Sequence, residues 1–298
     1  MPGVDPFIQT AIRAGLTELD HVIGGIIRKE IPLKVLEQIL VFRPEWVDAY
    51  RYVRDQHAAI PLPDGYKFEE LTLFGAALIA KNTEAIKRYF LSNSRPPVAI
   101  VTIREKRYEM SASQAFKRFC NVNDEEIRNA LHVRVGTGMI NDQENHYVNL
   151  ERKYEGCSDF EAFVQCGLVD KLRLVKGVIL GKVKSPLLDE IVRISPNLRT
   201  ELIFIGHDKF APTAPYYGDF QQLSLLGAAL IAGSMSDAAR LLPETPEQKV
   251  AVVRAKAKDN SSTAIVSLTA ADAYRRFCQP DDGYEPDVRV RKALGITD

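Results

Sequence analysis

Charge of one sign is not in excess in this chain: lysine plus arginine and aspartate plus glutamate both number 39, and the formal net charge is zero. That balance excludes a global field drawing the chain to nucleic acid or to an anionic membrane, and leaves only local patches. Cysteine is scarce, with Cys120, Cys157, Cys166 and Cys278 spread over 298 residues and none of the close pairs that zinc or redox motifs need. Reduced thiols in a cytosolic compartment are the expectation. The five histidines, His21, His57, His132, His146 and His207, share no metal-ligand spacing, so no metal and no other cofactor is expected. No apolar run approaches the length of a membrane span, and the opening Met1-Pro2-Gly3-Val4-Asp5-Pro6 lacks the basic start and apolar stretch of a signal peptide. A cytoplasmic chain, or one delivered into a host cytosol, is expected.

What is present is a duplication. Leu71-Thr72-Leu73-Phe74-Gly75-Ala76-Ala77-Leu78-Ile79-Ala80 returns as Leu223-Ser224-Leu225-Leu226-Gly227-Ala228-Ala229-Leu230-Ile231-Ala232, identical at eight of ten positions and displaced by 152 (223 minus 71). With 46% hydrophobic and 26% charged residues, the chain is long enough for two compact domains. The expected division is a first copy over 1–136, a linker over 137–157 and a second copy over 158–298.

Within the first copy, Phe7 to Gly15 and Leu16 to Ile23 read as a helix pair broken at Gly15, which suits a left-handed cap. Pro32 opens a helix through Leu33, Leu36 and Leu40, closed by Arg43-Pro44. Trp46, Tyr50 and Val53 suggest a further helix before a turn-rich loop over 60–65. Phe68 to Phe90 reads as a second helix pair, with a break at Lys81-Asn82. Val98 to Ile103 is β-branched and reads as a strand, with 104–110 folding back against it as a hairpin. Ser111 and Gln114 have capping-box spacing, and a last helix runs from Asp124 to Leu131. Residues 136–145 are polar and turn-forming, and His146 to Tyr154 has helical character.

The second half retraces this order. Gly167 answers Gly15, Pro196 answers Pro44 and Val250 answers Val98, all at 152. Beyond the strand the offset becomes 158, since Cys278 answers Cys120, so six residues enter the second hairpin. Its turn is expected at 259–262, with a return strand over Ala264-Ile265-Val266.

The helix pairs resemble ankyrin repeats. Ala11-Ile12-Arg13-Ala14-Gly15-Leu16-Thr17-Glu18-Leu19 and Cys166-Gly167-Leu168-Val169-Asp170 carry the turn glycine and the following acidic residue of that pattern. Ala76-Ala77 and Ala228-Ala229 resemble its alanine pair, with Gly233 or Lys81 at the turn. Departures are the missing Thr-Pro-Leu-His opening and acidic residues one position late, at Glu84 and Asp237. The resemblance implies a mainly α fold: an ankyrin-like, solenoid-like helical array in two tandem domains, each with a short β-hairpin. It further implies that segments leading into each pair form a binding edge. Repeat style alone suggests a protein that bacteria deliver into host cells.

No residues gather acid, base and nucleophile, so no catalytic residue is assigned. Cys120 and Cys278 are equivalent, but each follows Arg-Phe on an apolar helix face, where packing outweighs catalysis. The candidate binding residues lie elsewhere. Arg104 answers Lys256 and Lys106 answers Lys258, read as alternate positions of the first hairpin strand, and Tyr108 follows them. Tyr66, Tyr216 and Tyr217 lie in proline-rich loops ahead of the repeated stretch and are candidate interface anchors. Solvated strand faces and local loop packing explain the same residues without a partner. The leading reading is a scaffold or adaptor that binds an acidic protein through these loops and basic hairpins, with no sequence-specific nucleic acid expected. Two alternatives are an enzyme with a site between the copies, near His132, His146 and Cys157, and a structural homo-oligomer.

Overall fold

A computed structural model describes residues 3–52, 66–91, 97–103, 106–120, 124–133, 144–205, 218–242, 245, 247–256, 263–278 and 288–296. The chain is mainly helical, with fifteen α-helices and eight strands among the described residues. No helix among them is long and apolar enough to cross a membrane. It divides into two compact units, one of residues 1–9 and 17–168, the other of residues 10–16 and 169–298.

In the first unit, α1 (Pro6–Arg13) begins and α2 (Leu19–Ile27) and α3 (Leu33–Phe42) follow. Gly15 takes the expected left-handed conformation at φ 74. Pro32 caps α3, and Pro44 starts a 3-10 turn, Pro44–Val47. Of the helix expected through Trp46, Tyr50 and Val53, Trp46 lies in this 3-10 turn and strand β1 (Arg51–Tyr52) follows Tyr50, while Val53 lies outside the described residues. Strand β2 (Tyr66–Leu71) replaces the expected start of the second helix pair, and α4 (Leu73–Ala80) begins only past Thr72. The physical reason is local, because the Thr72 side chain accepts the Gly75 N–H and fixes the helix start there. Then come α5 (Thr83–Ala85), a π-helical turn Ile86–Phe90, β3 (Ala99–Ile103) and β4 (Lys106–Met110). Next are α6 (Ala112–Ala115), a second π turn Phe116–Cys120, and α7 (Glu125–Ala130). The Ser111–Gln114 capping box forms as its spacing predicts.

The expected short hairpin is therefore part of a four-stranded antiparallel sheet, ordered β1-β2-β3-β4. The second unit repeats that sheet after α10 (Lys171–Ile179), α11 (Ser185–Ile194) and a 3-10 turn Pro196–Arg199. Strands β5 (Ile203–Phe204), β6 (Gly218–Leu223), β7 (Lys249–Lys256) and β8 (Thr263–Thr269) have the order β5-β6-β7-β8. Even the irregularity recurs: the bulge between Phe68 and Glu70 reappears between Phe220 and Gln222. Between β6 and β7 lie α12 (Leu225–Ile231) and α13 (Met235–Arg240); α14 (Ala270–Phe277) and α15 (Val288–Ala293) complete the unit.

The repeated stretch is a clamp between helix and sheet. The backbone N–H of Thr72 donates to the Val98 carbonyl at 3.0 Å, and that of Ser224 to the Val250 carbonyl at 2.9 Å. Each side-chain hydroxyl caps the glycine three positions on, at 3.1 Å in both copies. A Cβ on Gly75 would stand 2.3 Å from the Val98 oxygen, and one on Gly227 would stand 2.3 Å from the Val250 oxygen. Only glycine admits so close a backbone approach. The leucines and alanines around it are buried in both copies, so the near-identity records packing, not chemistry.

The unit boundary does not follow the copies. The expected linker contains α8 (Glu144–Lys153), and α9 (Asp159–Gln165) starts the second copy in sequence. Both belong to the first unit. The Glu151 carboxylate accepts the Leu33 N–H at 2.6 Å, Gln38 donates to Asp159 at 2.9 Å, and the Phe7 and Phe160 rings meet at 5.2 Å. The buried Thr17 hydroxyl donates to the Leu168 carbonyl. In the second unit, the Asp170 N–H donates to the Leu16 carbonyl at 3.0 Å, which explains why residues 10–16 group there. Contacts thus draw the division at Leu168/Val169.

Candidate functional site: the outer faces of the two sheets

Residues directly opposite each other on antiparallel strands project from the same face. One face of each sheet lies on helices. Phe68, Leu71, Ala99 and Val101 are buried in the first, and Phe220, Leu223, Ala251 and Val253 in the second. The other face is where the copies part.

In the first sheet, the outer face carries Glu70 opposite Ile100, Ile100 opposite Glu109, and Thr102 opposite Arg107. Arg107 Nε lies 3.2 Å from Glu69 Oε2, and its Nη2 lies 3.0 Å from Glu70 Oε1. Thr102 Oγ1 also donates to Glu69. The face neutralises itself, through pairs exposed enough to be worth about 0–1 kcal/mol each.

In the second sheet, Phe204 stands opposite Gln222, Gln222 opposite Val252, and Val252 opposite Ser267. Ile265 stands opposite Arg254. By register, Gln222 replaces Glu70, Arg254 replaces Thr102, Ile265 replaces Arg107 and Ser267 replaces Glu109. Phe204 is 64% exposed and Ile265 71% exposed. Gln221 takes the place of Glu69, and its Nε2 is buried without a partner among the described residues. Arg254 lies on this face, and the register sets Asp219 directly opposite it on β6.

The residues expected to bind distribute unevenly. Lys106 and Tyr108 are exposed on β4. Lys106 was expected on the first hairpin strand, but it opens the return strand, opposite Ile103. Its structural counterpart is Ala264, which pairs with Ala255 as Lys106 pairs with Ile103, and not Lys258. The reason is the six-residue insertion, which moves the register from 152 to 158 across the turn. Tyr66 and Lys256 lie within β2 and β7 by backbone. Arg104, Tyr216, Tyr217 and Lys258 lie outside the described residues, as do the loop over 60–65 and the turn over 259–262. Sequence reasoning missed Phe204, Arg254 and Ile265. Ile265 was legible as part of a strand, but an apolar strand residue reads as core until its face is known.

The remaining reactive side chains serve the fold. Cys120, Cys166 and Cys278 are buried and Cys157 half-buried, all as free thiols. Burial pushes the Cys166 and Cys278 thiols up to about 12, which keeps them protonated and poor nucleophiles. Cys278 donates to the Leu230 carbonyl at 3.3 Å. His21 Nδ1 accepts the Glu18 N–H at 3.3 Å at the start of α2, and His132 ends α7 with φ 53. The side chains of His57, His146 and His207 lie outside the described residues. Among the described residues, no three histidine, cysteine, aspartate or glutamate side chains cluster as around a metal ion. Compared with protein-family models, with curated proteins and with solved structures, the chain has no match in any of the three.

Proposed function

We propose that this chain is a protein-binding scaffold and that its contact surface is the outer face of the second sheet. One observation carries the reading: Phe204 and Ile265 are exposed on a single sheet face that includes Val252, and the place of Ile265 is taken in the twin sheet by the ion-paired Arg107, with Tyr52 and Ile100 at the places of Phe204 and Val252. Phe204 stands on one edge strand and Ile265 on the other, with half-buried Val252 between them, and exposed apolar residues grouped on one face mark interaction sites. Aromatic and aliphatic anchors of this kind dominate the energetics of protein interfaces. The ankyrin-like reading of the helix pairs accompanies this proposal. The turns at Gly15, Lys81 and Gly233 all take positive φ, as turns between paired helices require. The exposed basic and aromatic positions of β4, Lys106 and Tyr108, form a secondary contact edge in the same reading.

The test is affinity capture with the full chain, wild type against Phe204→Lys combined with Ile265→Lys. Both positions are solvent-exposed, so the melting temperature is expected to hold while a reproducibly captured protein is lost. Capture that is unchanged in the double variant would remove this face from the proposal.

A further inference from the structure

Strand β8 pairs with β7 alone among the described strands and so ends the second sheet. The direction of its backbone groups follows from the residue beyond it. The Ala270 N–H donates to the Gln248 carbonyl at 3.0 Å, on the β7 side, and these groups alternate in direction along an antiparallel strand. The irregularity between Lys249 and Ala251 puts its extra residue on β7, so the alternation of β8 is unbroken. Leu268, Val266 and Ala264 therefore turn their N–H and C=O groups to β7, while Thr269, Ser267, Ile265 and Thr263 turn theirs away from it. On the far side of β7 the Val250 carbonyl accepts from Ser224, which turns Ala251 towards Leu268 and gives the same order. Side chains leave this edge open: Ala264, Ile265, Val266 and Ser267 are exposed in succession, on both faces of the sheet. Proteins usually defend such an edge with charge, proline or brevity. The twin edge, β4, is defended, since Lys106-Arg107-Tyr108-Glu109 are all exposed and three of the four are charged. Strand β8, Thr263-Ala264-Ile265-Val266-Ser267-Leu268-Thr269, is longer and has neither charge nor proline.

We propose that β8 pairs antiparallel with the β8 of a second copy of this chain, about a two-fold axis through Val266, joining the two second sheets edge to edge. The segment is self-complementary in that register. Ile265 meets Ser267 of the second copy, Ala264 meets Leu268, and Val266 meets itself, so a larger side chain faces a smaller one on each side of the axis. The whole strand pairs and nothing overhangs, whereas a centre at Ile265 or Ser267 leaves one end of each strand unpaired. Backbone directions agree with the register. The residues whose groups point away from β7 are matched with one another, Ile265 with Ser267 and Thr263 with Thr269, and each pair exchanges both of its bonds. Val266, whose groups turn to β7, takes the close, non-hydrogen-bonded position on the axis. Charge does not oppose the pairing. The strand itself has none, the formal net charge of the chain is zero, and Arg254, beside Ile265, has Asp219 opposite it on β6 by register. A seam of one strand pair is a small interface, so the dimer is weak and depends on concentration. The pairing does not rest on the protein-binding reading above; it goes beyond it, because the two outer faces join across the axis into one surface.

The experiment is sedimentation equilibrium of the full chain alone, from micromolar to roughly millimolar concentration, so its result does not depend on whether the face captures a partner. A reversible equilibrium between monomer and dimer is expected. Ser267→Pro removes an N–H that points away from β7, so it spares the sheet and deletes a seam hydrogen bond at two symmetric places. Dimerisation should weaken roughly ten-fold or more while the melting temperature is kept. Ser267→Lys, which gives β8 the charged character of the twin edge, should weaken it likewise without altering the backbone. Register is read by cysteine bridging in a Cys157→Ser background, which removes the half-buried native thiol. Val266→Cys should form an interchain disulfide under mild oxidation, because a non-hydrogen-bonded pair on the axis brings its Cα atoms to about 4.5 Å. Ala264→Cys should not, since that position lies about 13 Å along the strand from its own counterpart. Three results would overturn the inference: a wild-type chain that stays monomeric at roughly millimolar concentration, a dimer that both Ser267 variants keep, or bridging at position 264 as readily as at 266. A different protein captured by a monomeric wild-type chain and lost with Ser267→Pro would also overturn it, by seating that protein on the edge in place of a second copy.

Discussion

The two sheets share strand order, register and even the position of a bulge, yet their outer faces differ: the first has ion pairs around Arg107 where the second exposes Ile265. The backbones differ in the reverse sense. In the first copy, three non-glycine residues hold positive φ: Lys29 at 58, Lys81 at 56 and His132 at 53. Their counterparts in the second copy are Gly181, Gly233 and Gly295, at 62, 66 and 66. The first copy also has π turns at Ile86–Phe90 and Phe116–Cys120, whereas the second continues as regular helix through α14. One copy thus has glycine at its left-handed turns beneath a face that exposes Phe204 and Ile265, and the other has non-glycine residues at those turns beneath a face with ion pairs around Arg107. The demands of packing held the architecture fixed while surface and local strain diverged.

The largest expected effect tests what the copies share. Gly75→Ala and Gly227→Ala each force a Cβ onto a strand carbonyl, and each should cost about 3 kcal/mol in denaturant unfolding, since the obstacle is backbone and cannot swing away. A small loss at either position would mean that the clamp yields.

A smaller effect separates the backbones. Lys29→Gly, Lys81→Gly and His132→Gly each relieve about 1–2 kcal/mol of left-handed strain. Part of that is returned as unfolded-chain entropy, leaving a gain of about 0.5–1 kcal/mol apiece. The reverse change, Gly233→Lys, should lose a similar amount; thermal melts of all four variants decide it.

Grafting the first face onto the second is expected to change stability least. Gln221→Glu, Gln222→Glu and Ile265→Arg together rebuild the ion pairs around Glu69, Glu70 and Arg107. Stability should shift by less than about 1 kcal/mol, because surface pairs are worth little, while the proposed partner is lost. Retained capture by this triple variant would dissociate function from the difference between the faces.

The thiols supply a pH test that separates burial from reactivity. Burial raises the folded-state values of Cys166 and Cys278 from the ordinary thiol range to about 12. Their contribution to stability is therefore complete below pH 9 and declines as pH rises from there through 12. At neutral pH, half-buried Cys157 should alkylate first, and mass spectrometry of the labelled chain reads the order.

Much of the fold was legible because duplication let each copy annotate the other. The strand at Val98, the hairpin, the capping box at Ser111 and the glycine turns all follow from local chemistry. Strand β2 escaped because Phe68 and Leu71 are three apart, a spacing that the bulge at Glu69 gives to a strand and that otherwise signals a helix. The six-residue insertion then misdirected the pairing of basic residues, since an offset read before a turn does not hold beyond it. The site itself was hidden: whether Phe204 and Ile265 are core or surface depends on which sheet face the helices cover, and no local pattern states that.

The bond from Thr17 to Leu168, and the seating of α9 in the first unit, have a consequence in time. A ribosome delivers the chain from its amino end, and domains generally fold as they emerge. The first unit, however, is not complete until residue 168 has been made, well into the second copy. Residues 10–16 wait longer still, because their companions in the second unit follow at 169 and beyond. Although its gene reads as one module written twice, the nascent chain cannot finish the first before beginning the second.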